Sequence, residues 1–219
     1  MTLLKDGLNS MIETSYFSIF PTNIMGFRID DSKEMNSAIA THLLERQKVE
    51  VNNNYNSVQG GWHSSFNLLH REEQWSKDLE DMILSVVKDF VAHYNGPHFW
   101  DKQVEDARLQ CWGFVLGAGH CSTYHTHPGS VVSGTYYVKV PEGMQKDEDV
   151  SSGRFNIPDF RCGPTSSPEW ITPNFKYDPE EGMGLVFPSW VPHFVEPHYE
   201  EGERISISWN TQLVLKPTK

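Results

Sequence analysis

From residue 108 to residue 210 the chain is written in short β-rich runs separated by glycine and proline turns, and no long helical period recurs. The runs are RLQCWGFVLGAG (108–119), SGTYYVKV (133–140), MGLVFPS (183–189) and RISISWN (204–210). Several short strands with turns between them indicate an antiparallel sandwich or barrel. The last run is the most regular. Side chains alternate along a strand, so Arg204, Ser206, Ser208 and Asn210 share one face, and Ile205, Ile207 and Trp209 share the other.

The first hundred residues have a different texture. Leu79, Met82, Ile83, Val86, Val87, Phe90, Val91 and Tyr94 follow the i, i+3, i+4, i+7 rule and predict a helix over 77–94. Ser76 is its expected N-cap, and Asn95-Gly96-Pro97 its stop. Met35, Ile39 and Leu43, four apart, predict an amphipathic helix within 32–47, begun by Asp31 or Ser32. Residues 16–29 read as one or two strands broken at Pro21, and 51–65 as a turn-rich loop. The stretch 141–182 is rich in proline, glycine, serine and charge. It is too long for a hairpin turn and is expected to hold one or two strands (GRFNI, EWITPNF) around a mobile lid. The expected class is α+β in one domain over 1–219: a helical or mixed flank (1–100), then a β core (101–219).

Composition bounds the function. A chain of 219 residues buries roughly 70% of its unfolded surface and needs no disulfide or structural metal to fold. Acidic residues outnumber basic ones 29 to 18, for a net charge of −11, which counts against a general nucleic-acid binder. No apolar run approaches the ~20 residues of a membrane helix, and the first residues lack a secretory-signal pattern. Three cysteines without CxxC spacing suggest a reducing compartment, so the expected location is the cytoplasm.

Ten histidines are the richest chemical clue. His42, His70, His93 and His98 have no evident partner in the sequence; His63 and His120 are candidates to line a pocket. His125-Thr126-His127 differs, because i and i+2 on a strand aim two imidazoles to one side, a common start for a metal site. His193, in GLVFPSWVPHFVEP, is the candidate third member. A buried face should not carry Arg204 and Ser206 unless something anionic meets them. The guanidinium fork suits a carboxylate, and a serine two residues on adds a hydrogen bond. A surface strand with Arg204 paired to Glu200, Glu201 or Glu203 would explain the same pattern. No GxSxG occurs, and Cys121 beside His120 lacks an obvious third partner.

An HxH pair, a strand ending in two tyrosines, a distal histidine and RxS about eleven residues on resembles the signature of the 2-oxoglutarate- and Fe(II)-dependent oxygenases. HTHPGSVVSGTYYV, GLVFPSWVPHFVEP and RISISWN are most similar to the bacterial and phage 2OG-Fe(II) oxygenase subfamily related to the prolyl hydroxylases. The resemblance spans about residues 108–212, with a weak extension through GGWHSS. It implies a double-stranded β-helix, or jelly roll, with helices packed on one side. It also implies iron on His125, His127 and His193, and the C5 carboxylate of 2-oxoglutarate on Arg204 and Ser206. Tyr137 is the expected helper, with Tyr136 as the fallback. Dioxygen and a small-molecule or peptide substrate would complete the reaction, with no nucleic acid and no membrane.

The sequence departs from the superfamily pattern at one position: His127 stands where a carboxylate ligand is usual. A second registration makes His127 the first ligand and leaves Gly129 at an empty ligand position, and a remote carboxylate such as Glu196 is a further possibility. Two other classes fit parts of the pattern. A cupin-like isomerase or hydrolase would use the three histidines with zinc or manganese and would not need Arg204 and Ser206. A noncatalytic, carbohydrate-binding module would need no stoichiometric metal.

Overall fold

The alternation in RISISWN carries through into a twelve-residue strand that organises the β core. The computed structural model describes residues 15, 20–51, 57–69, 71–144, 152–159 and 174–217. In chain order the strands are β1 (Met25–Arg28), β2 (Val58–Gln59), β3 (Trp62–His63), β4 (Val104–Leu116), β5 (Cys121–His125), β6 (Val132–Lys139), β7 (Phe155–Pro158), β8 (Asn174–Tyr177), β9 (Met183–Pro188), β10 (His193–Val195) and β11 (Arg204–Leu215). They form two antiparallel sheets. One has the order β1-β9-β6-β11-β4-β3 and the other β2-β5-β10-β7-β8. Consecutive strands repeatedly cross between the sheets, as in a jelly roll.

Both faces of β11 are buried, and each meets a different environment. Ile205, Ile207 and Trp209 join Cys111, Val115 and Tyr136 in the main apolar core. That core is completed by two helices, α1 (Lys33–Val49) and α2 (Gln74–Asn95). Ile39 and Leu43 come from α1; Leu79, Ile83, Val87 and Phe90 come from α2. A short third helix, α3 (Phe99–Gln103), leads into β4. The polar face of β11 looks between the sheets, where Phe155, Leu185, Phe187, Val191 and Val195 form a smaller apolar cluster.

Several boundaries differ from the sequence reading, each for a local reason. Helix α2 begins three residues before the expected start, with Glu73 rather than Ser76 at its N-cap. The Ser76 hydroxyl instead sits inside the first turn, donating to the Leu68 carbonyl at 3.4 Å and accepting from the Arg71 amide at 3.3 Å. The C-terminal stop is as expected, with Gly96 at φ +87° and its amide bonded to the Ala92 carbonyl. The loop expected over 51–65 contains two-residue strands, β2 and β3, whose length leaves no period to read. Of the expected strand over 16–29 only β1 forms among the described residues. The central parts of the expected lid, 145–151 and 160–173, lie outside the described residues, while GRFNI supplies β7.

Gly134 of β6 is where Trp209 of β11 packs against the neighbouring backbone. A Cβ there would lie 2.1 Å from the indole ring, which is itself fully buried. Gly134→Val should therefore destabilise the protein by about 1–3 kcal/mol or more, read as a lower denaturant midpoint with an unchanged m-value.

Candidate metal and 2-oxo acid site

Register brings the histidines together. His193 of β10 is the direct cross-strand partner of His125 of β5, so the two imidazoles project from the same face with ring centroids 4.3 Å apart. His127 is not on the strand, as expected from the HxH pattern, but two residues past its end. Pro128 cannot donate to a ladder, and Gly129 turns the chain at φ +84°. The His127 amide is held by the Ser189 carbonyl at 2.9 Å, which fixes this turn against the loop before His193. The result is one cluster: ligand-capable nitrogens of His125, His127 and His193 all lie within 4.8 Å of one another.

The tautomers are set from behind. His125 Nδ1 donates to the Thr123 carbonyl at 2.6 Å, and His193 Nδ1 to the Val191 carbonyl at 2.9 Å. Each bond leaves Nε2 with a lone pair facing the cluster. The Nε2 atoms of His127 and His193 are 3.2 Å apart. Two ligands at right angles on a metal, each about 2.1 Å from it, sit about 3 Å apart, so this spacing fits a shared cation. Burial lowers the pKa of all three: His125, His127 (to about 4, with His125 adding to the effect) and His193 (well below 6.5, with His125 and His127 adding). They are neutral at pH 7, the form that binds metals.

Across the cavity stands the polar face of β11. Arg204, Ser206, Ser208 and Asn210 all line a hollow of about 350 Å³ that also contains the three histidines. The alternative in which Arg204 pairs with a surface glutamate is not realised: Glu203 pairs with Lys139 at 3.2 Å, and Glu200 lies 3.6 Å from His198. Arg204 is 2% exposed, has no acidic partner among the described residues, and its Nε has no hydrogen-bond partner. Its guanidinium lies over the buried Tyr137 ring, 5.1 Å from the centroid. A buried guanidinium with no acidic partner is costly unless an anion meets it.

The tyrosine pair divides cleanly. Tyr137 is opposite Ser206 and turns toward the cavity side, beside Arg204. Tyr136 is opposite Ile207 and turns toward α1, where its hydroxyl donates to Asn36 Oδ1 at 2.8 Å. Neither Gly129 nor Glu196 lines the cavity. Trp112 and Tyr124 do, whereas Trp190 borders a separate apolar hollow beside α2.

One wall was hard to anticipate. His63 of β3 is buried, stacks on Trp112 at 5.7 Å, and meets Phe114 and Phe66 edge-on. Burial lowers its pKa to about 4. GGWHSS was the only sequence hint of this wall, because a two-residue strand has no period.

The buried histidines make stability depend on pH. Each binds a proton below about pH 6.5 when unfolded but resists it when folded, so the unfolded state binds more protons and stability rises with pH. In metal-free protein, stability is therefore expected to fall as pH drops from about 6.5 to about 4. His63 alone contributes on the order of 2–3 kcal/mol of that loss, from a folded pKa near 4. Urea unfolding across this range checks it, and His63→Phe should flatten the slope.

Residues 110–210 match the family model described as "Putative 2OG-Fe(II) oxygenase". The β core is similar to that family. The match runs from β4 through the histidine cluster to the middle of β11, and so contains every residue lining the cavity except Ser57, His63 and Phe66. Solved structures share the fold of this chain over most of its length. A Pseudomonas putida prolyl-4-hydroxylase aligns with TM-score 0.60 at 17% identity, covering 87% of this chain and 92% of that one. A Trichoplax adhaerens prolyl hydroxylase, solved with a hypoxia inducible factor peptide fragment, aligns at 0.56 and 16% identity, covering 86% and 82%. HygX from Streptomyces hygroscopicus, solved with nickel and 2-oxoglutarate, aligns at 0.55 and 10% identity, covering 87% and 82%. At these identities the likeness is one of fold. No curated protein matches the chain. No described helix is long and apolar enough to cross a membrane.

Proposed function

We propose that this oxygenase holds Fe(II) on His125, His127 and His193 and binds 2-oxoglutarate with its C5 carboxylate on Arg204, Ser206 and Tyr137. The observation that carries the reading is Arg204, buried and without an acidic partner in the same cavity as three neutral imidazoles. A cupin-like isomerase or hydrolase would leave that guanidinium unexplained. When bound, iron and 2-oxoglutarate supply an oxidative decarboxylation, giving succinate and carbon dioxide, that is coupled to hydroxylation of one substrate C–H bond.

The chain's own residues position and shield. Arg204 offers a fork of donors and Tyr137 a hydroxyl, so the far end of the cosubstrate is fixed by charge-assisted hydrogen bonds rather than by shape alone. The Thr123 and Val191 carbonyls lock two imidazoles in the ligating tautomer. Phe155 and Phe187 pack on His193 with centroids 4.9 and 4.8 Å away, which keeps water from its ring faces. The aromatic wall of Phe66, Trp112 and Phe114 faces the substrate's approach. That substrate is a small molecule or a peptide side chain, and the reaction takes place in the cytoplasm. Residues 1–219 act as one catalytic domain, with 1–100 as its flank.

The test is product formation. Purified protein with Fe(II), ascorbate and 2-oxoglutarate should release succinate in an oxygen-dependent way, slowly alone and faster with a true substrate. Release of no succinate above a metal-free control, over a panel of amino acids, peptides and small metabolites, would contradict the proposal.

A further inference from the structure

The cavity is unusually one-sided in charge, and this bears on what it admits besides 2-oxoglutarate. Among the described residues no aspartate or glutamate lines it, although the whole chain carries a net charge of −11. Its one formal charge is Arg204. Imidazoles ligate a cation as neutral groups, so a divalent cation, the cosubstrate dianion and Arg204 together leave the occupied cavity with a net charge of about +1. With no acidic side chain in the lining to balance it, that net positive charge favours an anion entering from solvent over a neutral or cationic molecule.

A second observation points to where that anion sits. Trp112 is 3% exposed, lines the cavity, and its Nε1–H has no hydrogen-bond partner. An indole nitrogen is donor only, so it calls for an acceptor. The ring cannot easily turn away, because His63 stacks on it at 5.7 Å and Phe66 meets its face at 5.1 Å. Trp112 lies opposite Ser208, two interior residues along β11 from Arg204, and its ring is 5.9 Å from that of His127. It therefore stands at the histidine end of the cavity, away from the guanidinium. Ser122, also in the lining, has a buried hydroxyl without a partner.

We infer that the primary substrate is an anion, a carboxylate-bearing molecule or side chain, whose oxygen accepts the Trp112 Nε1 hydrogen bond beside the histidine cluster. Trp112 is on this view a specificity-determining residue. The inference rests on the proposed metal and 2-oxoglutarate site.

The experiment uses acetate as the anionic probe and acetamide as its neutral counterpart of nearly the same shape. Mn(II) replaces iron, 2-oxoglutarate is saturating, and the relaxation of the probe's methyl protons reports binding close to the metal. In parallel, the absorption band of the anaerobic Fe(II)–2-oxoglutarate complex reports whether the cosubstrate stays bound. Acetate should show saturable relaxation at least about tenfold stronger than acetamide with the band intact, and Trp112→Phe should weaken acetate by about tenfold or more while leaving 2-oxoglutarate affinity unchanged. Equal effects of acetate and acetamide would overturn the inference, as would acetate that acts only by displacing 2-oxoglutarate. If Trp112→Phe instead weakens 2-oxoglutarate itself, the acceptor belongs to the cosubstrate and the inference is also overturned. A protein that never forms the Fe(II)–2-oxoglutarate band fails earlier, at the function on which the inference rests.

Discussion

Arg204→Ala is expected to weaken 2-oxoglutarate binding by roughly 30- to 4000-fold, the equivalent of about 2–5 kcal/mol for truncating one side of a buried charged pair. The size follows from position. The guanidinium is 2% exposed, no acidic side chain among the described residues shares its charge, and its Nε lacks a protein partner. A carboxylate placed there loses its water and has no substitute donor of equal strength once the fork is gone. Metal binding should survive, because Arg204 lies on the sheet opposite the histidines. Arg204→Lys should recover only part of the loss, since an ammonium cannot reproduce two parallel hydrogen bonds or the stacking on Tyr137. Anaerobic titration of each Fe(II)-loaded variant, with iron content measured alongside, separates the two effects. Equal affinity in all three proteins would remove Arg204 from cosubstrate binding.

His193→Ala is expected to lower metal affinity by at least about 100-fold. Loss of a residue that merely orients a ligand costs about 10- to 100-fold, and removing a ligand should cost no less. His193 is the histidine most firmly held of the three: 3% exposed, bonded through Nδ1 to the Val191 carbonyl, and packed between Phe155 and Phe187. A buried histidine outside the cluster gives the control. His63→Ala opens a comparable space beside Trp112 but should leave metal content unchanged. Metal content after equilibrium dialysis reads both variants, and near-stoichiometric metal in His193→Ala would place the cation elsewhere.

Much of the core was legible in the sequence because alternation and helical period are local. Arg204 to Asn210 separate onto two faces as the strand pattern requires, and both helices bury most of the residues their spacing marks, with Met35 half-buried and Tyr94 exposed at the end of α2. What periodicity could not supply was pairing. That His193 stands opposite His125 is a fact of register between segments nearly seventy residues apart, and only the motif resemblance anticipated it. His127 shows the limit from the other side: the HxH spacing suggested one strand face, whereas Pro128 and Gly129 end the strand and a loop contact to Ser189 brings the ring back. His63 shows it again, since β3 is too short to carry a pattern and its place in the cavity wall comes from pairing with β4.

The central claim is that one cavity holds iron on three histidines and 2-oxoglutarate on Arg204 together. Its most direct measurement is anaerobic absorption spectroscopy as Fe(II) and then 2-oxoglutarate are added to the metal-free protein. A metal-to-ligand band should appear only when both are present, saturate at one equivalent of each, and be lost in His193→Ala. Tight Fe(II) binding with no band at saturating 2-oxoglutarate would contradict the claim and return the three histidines to a metalloenzyme of another class.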